Sequence, residues 1–164
     1  MIILRKAKEE DISIIQDLAG RTWRITYAEY LSVEQIDYML HKMYNKGELL
    51  SQMQGGHHFL IAGAEQTDLG FAGFSVIDAE TRTYKLHKLY VLSEAHGKGV
   101  GKLLINEVIN LIKKEGGTAI QLNVNRNNKA ADFYKKAGFE IKETVDLDIG
   151  NGFFMNDYVM EMTL

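Results

Sequence analysis

The sequence predicts an α/β fold, a mixed central sheet of about seven strands flanked by four helices, and three observations carry that prediction. Short alternating or β-branched runs recur from one end to the other. Between them lie stretches whose apolar residues repeat at helical spacing. The changes from one period to the other fall at Gly, Asn, Asp or Ser, as they must in a chain without proline.

Taken in order, Ile2 to Leu4 reads as a short strand, and Glu9, Glu10 and Asp11 suit the positive end of a helix carrying Ile12, Ile15, Leu18 and Ala19. An aromatic region with Trp23, Tyr27 and Tyr30 leads to a second helix. There Ser32 is the N-cap, Gln35 completes a capping box, and Ile36, Met39, Leu40 and Met43 share a face. "HHFLIAG" and "LGFAGFSVI" read as antiparallel strands joined by the turn "AEQTD". Tyr84 to Leu92 forms the next strand. A glycine turn follows, then a helix with Val100, Leu104, Val108 and Leu111 on one stripe, Lys113 and Lys114 at its negative end, and Gly116 as its stop. "TAIQLNVN" alternates as a strand, and "NNKAADFYKKAG" is a short helix with an Asn N-cap and Gly138 as its stop. Ile141, Val145, Leu147 and Ile149 then alternate up to "GNG", and Phe154, Tyr158, Met160 and Met162 alternate back as a hairpin.

Composition narrows the function. A chain of 164 residues, 46% hydrophobic and 25% charged, fits one globular domain over residues 1–164. A formal net charge of -3 supplies no whole-protein basic field for a nucleic-acid backbone, so nucleic acid is not an expected partner. The absence of cysteine removes disulfides, thiolate metal sites and cysteine nucleophiles. "MIILRKAKEED" turns charged too soon for a signal peptide, and no apolar run reaches spanning length; a cytoplasmic protein without a membrane partner is the expectation. His57 and His58 are adjacent and His41 is distant, so no i,i+4 metal pair appears and no metal is expected.

The stretch "LYVLSEAHGKGVGKLLINEVI" poses the functional question: what does a glycine turn between a strand and a helix hold? A P-loop would need glycine where His96 stands, and serine or threonine where Leu103 stands. A dinucleotide fingerprint starting at Gly97 would need glycine where Lys102 stands. What survives is an anion nest, in which backbone N–H groups converge at the positive end of a helix beginning near Gly99, a shape suited to pyrophosphate.

The segment His96, Gly99, Gly101 resembles the signature of the GNAT superfamily of acyl-CoA-dependent N-acyltransferases: Gln or Arg, two residues, Gly, one residue, Gly or Ala. His96 departs from it at the first position. "LYV" and "NNKAADFYKKAGF", Asn127 to Phe139, are similar to the family's cofactor strand and its later Asn–Tyr–Gly-Phe motif. The resemblance implies a GNAT-like, mostly antiparallel sheet and acetyl-CoA as cosubstrate. It implies cofactor contacts from Leu89, Tyr90, Val91, His96, Gly97, Lys98, Gly99, Val100, Gly101, Lys102, Asn127 and Tyr134, and it makes a homodimer a reasonable assembly.

Acetyl transfer to an amine requires a neutral nucleophile, and an amine of pKa about 10.4 is only about 0.1% neutral near pH 7.4, a penalty of about 4 kcal/mol. Family resemblance puts Tyr134 beside the departing sulfur, where a phenol can protonate a thiolate. His87, on the strand before the loop, is the candidate base, with an ordered water chain as its alternative. The family grips its acceptor with the first two helices and the final hairpin, here Trp23, Tyr27 and Tyr30 with Asp146, Asp148 and Asp157; aromatics and carboxylates suit a cationic amine. "TWRITYAEYLSVEQIDYML" resembles the corresponding region of bacterial polyamine N-acetyltransferases, while protein N-termini, lysines, aminoglycosides and amino acids remain open as acceptors. The rival from another class is a non-catalytic module that senses acyl-CoA. A nucleotide-dependent kinase lacks its P-loop.

Overall fold

The computed structural model describes residues 1–164. The chain forms β1 (Ile3–Lys6), α1 (Ile12–Thr26), α2 (Val33–Tyr44), α3 (Lys46–Gln54), β2 (His58–Ala64), β3 (Thr67–Asp78) and β4 (Thr83–Val91). It continues through α4 (Val100–Lys114), β5 (Ala119–Asn125), α5 (Ala130–Ala137), β6 (Glu140–Gly150) and β7 (Phe153–Thr163). All seven strands join one sheet in the order β1-β2-β3-β4-β5-β7-β6. Every pairing is antiparallel except β4 with β5.

Alternation along the central strands divides the apolar residues between two cores. Leu60, Ala72, Leu86, Ile120, Leu122 and Met160 face α4 and α5, whose Leu104, Val108 and Ile112 cover them. Phe59, Ile61 and Phe71 face the other way, under Ile15, Leu18, Met39 and Leu49 of the first three helices. Each of the larger side chains, Val, Leu, Ile, Phe or Met, contributes about 1.5–3 kcal/mol through burial.

The sheet is interrupted midway along β4. A register shift opposite Gly73 and Phe74 inserts an extra residue, His87, between Leu86 and Lys88 of β4. Leu86 therefore faces the α4 core while Lys88 lies between Phe59 and Tyr44 on the opposite side. Pairing of β4 with β5 runs only from Thr83–Ala119 to Leu86–Leu122. Beyond it β5 stays with β7, through to Asn125 opposite Asp157, and the two parallel strands part.

Three local expectations need correction. Besides the four helices expected, the chain forms α3, started by Asn45, whose side chain accepts from the Glu48 N–H at 2.8 Å. Ser32 does cap α2, accepting from the Gln35 N–H at 3.0 Å, but the Gln35 amide does not return the bond; it donates to the Phe154 carbonyl at 3.2 Å. Asn127 does not cap α5. The helix enters through Lys129, and the Asn128 side chain accepts from the Ala130 N–H at 2.9 Å in a local turn.

Candidate active site

The loop after β4 is shaped by Gly97 and Gly99, at φ +81° and +78°, values at which a side chain would be strained. The turn leaves the N–H groups of Gly97, Gly99, Val100, Gly101 and Lys102 without a backbone acceptor, while that of Lys98 is taken by the Ala95 carbonyl. The first helical amides lack intrahelical partners, and the macrodipole adds positive potential, so this end of α4 suits an anion. Val100 is buried and anchors the helix; Lys98 and Lys102 are exposed beside the free amides. At Gly101 an added Cβ would lie 3.6 Å from Phe133 and 3.8 Å from Val91, which is ordinary contact. We expect Gly101→Ala to keep stability and coenzyme A affinity, with a dissociation constant within about threefold of the parent by calorimetry.

The β5-facing edge of β4 is free beyond Leu86. Because the Leu92 N–H donates to Leu69 on β3, alternation turns the backbone groups of Leu89 and Val91 toward the opening and those of Tyr90 toward β3. Tyr90 thus offers its side chain rather than its backbone. His96 reaches back, its Nε2 2.9 Å from the Val91 carbonyl, and ties the loop to the end of β4. Asn127 is exposed beside the opening of α5, its N–H donating to the Asn125 side chain at 2.9 Å.

Phenols gather where β4 and β5 part. Tyr90 and Tyr27 hydroxyls are 3.1 Å apart. Tyr134, on α5 from the other side of the sheet, packs its ring against Phe133 and Phe139, with centroids 5.3 and 5.7 Å away. Burial pushes all three ionisations up. Each is therefore a neutral hydroxyl at ordinary pH, able to donate a proton.

The aromatic wall and one carboxylate stand on the side of the sheet covered by α1 and α2. Trp23 packs against Tyr27 at 4.7 Å and Tyr90 at 5.8 Å, and Tyr30 stands edge-on to Tyr27 at 5.6 Å. Tyr38 Oη and Lys42 Nζ donate to the Ile149 carbonyl at 2.9 and 2.6 Å, fastening the tip of the β6–β7 hairpin over α2. Asp157 of β7 lies beneath, 1% exposed. Burial raises its carboxyl pKa, and Asn123, Lys85 and Arg126 partly offset that rise. Trp23 Nε1, Tyr30 Oη and Asp157 Oδ1 are buried polar atoms with no hydrogen-bond partner. Such atoms are costly unless a ligand or water supplies the missing bond.

Asp146 and Asp148 do not join Asp157. Register sets them opposite Asn156 and Phe154, and alternation gives that row the other face of the hairpin. Asp146 pairs with Arg126, and Asp148 accepts from the Gly150 N–H at 2.9 Å. Of the six residues expected to grip the acceptor, Trp23, Tyr27, Tyr30 and Asp157 share one side of the sheet, and Asp146 and Asp148 lie on the other.

His87 fits a structural role better than that of a base. Its Nε2 is 2.7 Å from Ser75 Oγ and its ring stacks on His57 with centroids 4.6 Å apart. Burial, with the charges of His57, Lys88 and Lys85, lowers its pKa to about 3. A ring that weakly basic holds no proton taken from an amine near neutral pH. With the folded pKa depressed, the unfolded state binds the proton more readily, so stability is lost as pH falls below about 6.5 toward 3. At pH 5 that linkage is about 2 kcal/mol, reduced to about 1 kcal/mol by solvent at a partly exposed ring. His87→Gln should narrow the fall in melting temperature between pH 7 and pH 5; an unchanged fall would contradict this placement.

Known proteins match the chain in sequence and in fold. The family model for an acetyltransferase (GNAT) domain matches residues 27–162. A spermidine N(1)-acetyltransferase of Thermoplasma acidophilum is 32% identical over 149 residues, covering 87% of this chain and 91% of that protein. The crystal structure of a PaiA N-acetyltransferase from the same organism, in complex with coenzyme A, superposes with a TM-score of 0.84 at 30% identity, covering 100% of this chain and 99% of that one. An uncharacterized N-acetyltransferase of Bacillus subtilis is 26% identical over 137 residues, 82% of this chain and 78% of that protein.

Proposed function

The chain belongs to the GNAT acetyltransferase family and uses acetyl-CoA, and from that premise we propose that it acetylates a primary amine of a small, polyamine-like molecule by direct attack in a ternary complex. The observation that carries the reading is the convergence at the parting of β4 and β5. The free β4 edge and loop amides open from one side, and the Trp23–Tyr27–Tyr30 wall with Asp157 stands on the other. The relative named as a spermidine acetyltransferase supports the same class of acceptor.

Acetyl-CoA supplies an acetyl group activated as a thioester, with a thiolate to leave. The residues present suit it. Unbonded amides of Gly97 and of Gly99 through Lys102 would receive the pyrophosphate, and the outward backbone groups of Leu89 and Val91 would bond the amides of the pantetheine arm. Tyr134 would protonate the departing sulfur from a buried hydroxyl held neutral. Trp23, Tyr27 and Tyr30 would receive the cationic acceptor by cation–π contact, and Asp157 by charge.

Incubation with acetyl-CoA and an amine panel, read by release of free thiol, tests the proposal. A polyamine should turn over faster than amino acids, an aminoglycoside or an N-terminal peptide. Preference for any of those would overturn the acceptor class, and thiol release no faster than hydrolysis with every amine would leave an acyl-CoA-binding module.

A further inference from the structure

We infer that Asp157 is the proton acceptor for the attacking amine, taking the ammonium proton onto its carboxylate; this deepens the proposed function and rests on it. Asp157 stands opposite Asn125, at the end of β5 where β4 has turned away, with only that strand between it and the gap. It lies close enough to Tyr90 to push that phenol's ionisation up, and Tyr90 touches Tyr27 through its hydroxyl. Its Oδ1 is buried and unpartnered. An ammonium donating to that oxygen would satisfy it on the face of the sheet that carries the Trp23–Tyr27–Tyr30 wall, and it must become neutral to react.

The surroundings favour moving the proton. Lys85 and Tyr90 from β4 and Asn123 from β5 act on the carboxyl from its own side, Arg126 acts on it from the other face where it pairs with Asp146, and Val145 is its partner on β6. Burial, the largest influence on the carboxyl, favours its neutral form against the opposing pull of Asn123, Lys85 and Arg126, and an ammonium entering the same enclosed place meets the positive charge of Lys85. Passing one proton from nitrogen to carboxylate removes two buried charges at once. His87 offers the reverse, since its surroundings expel a proton.

The step balances. The ammonium gives one proton to Asp157, and the freed nitrogen lone pair forms the bond to the thioester carbon. The carbon–sulfur electron pair leaves with sulfur, which takes the Tyr134 proton. The second proton leaving nitrogen restores the Tyr134 phenol, and Asp157 releases its own to solvent. Amide, thiol and one proton result.

The test compares wild type and Asp157→Asn with two acceptors, an alkylamine of pKa about 10 and a fluorinated amine already neutral at the assay pH. With the ordinary amine, kcat of the variant should fall about 10²-fold near pH 7 and then climb about tenfold per pH unit, where the wild type levels off. With the neutral amine the loss should shrink below about tenfold. A KM increase at unchanged kcat would make Asp157 a cation anchor and overturn the assignment, as would equal losses with both amines. If Asp157→Asn does not fold, ¹³C-aspartate NMR of the wild type decides. One carboxyl should titrate above the ordinary range and shift when amine is added with coenzyme A present; no such carboxyl overturns the assignment. Thiol release by the wild type no faster with any amine than without one would instead overturn the proposed function, a result distinct from a failure confined to Asp157.

Discussion

Replacing Tyr134 with phenylalanine lowers kcat by about 10²-fold at saturating acetyl-CoA and amine, the usual size of a lost general acid. The ring remains, so its edge contacts with Phe133 and Phe139 persist and the α5 packing survives. Burial alone acts on the hydroxyl removed, with no side-chain hydrogen bond to it, so stability should change by less than about 1 kcal/mol and coenzyme A affinity by less than about twofold. Melting and calorimetric titration of the variant separate this loss from unfolding. Turnover equal to wild type would remove Tyr134 from the chemistry. The loss should also be smaller with a thioester whose thiol is more acidic, because such a thiolate leaves without help.

Gly99→Val weakens coenzyme A binding by about 10–100-fold, the second large effect. An added Cβ at Gly99 meets nothing within 4 Å, so the penalty is conformational and not steric crowding. At φ +78° a β-branched residue costs about 2 kcal/mol, and the peptide relieves that strain by rotating. Rotation turns its N–H out of the convergence with Gly97 and Val100 through Lys102. The contrast with Gly101→Ala identifies the cause, since Gly101 lies within the first turn of α4 and is not held at positive φ. Equal losses at both positions would point to crowding of the ligand instead.

Strand and helix periods made most of the fold legible. The alternation of Ile120, Leu122 and Val124, and the stripe Val100, Leu104 and Val108, each correspond to a real core face. α3 escaped because Gly47 and a polar composition hide its period, although Asn45 three residues before Glu48 was a readable start. The glycine loop was legible for a local reason: backbone conformation and amide direction follow from nearby glycines. The acceptor side was legible only in part, because it joins α1 to β7 across most of the chain. The side chains of Asp146, Asp148 and Asp157 look alike as sequence, and only the pairing register assigns them to opposite faces. The bulge at His87 is equally silent, since its signal is a mismatch with β3 rather than anything within β4.

Backbone amide NMR during titration with acetyl-CoA tests most directly whether the loop amides and the free edge of β4 hold the acyl donor. Gly97, Gly99, Val100, Gly101 and Lys102 should show the largest amide shifts, joined by Leu89 and Val91, while Lys98, already bonded to Ala95, moves less. Binding that leaves those amides unmoved and shifts another surface, or no binding at all, would contradict it.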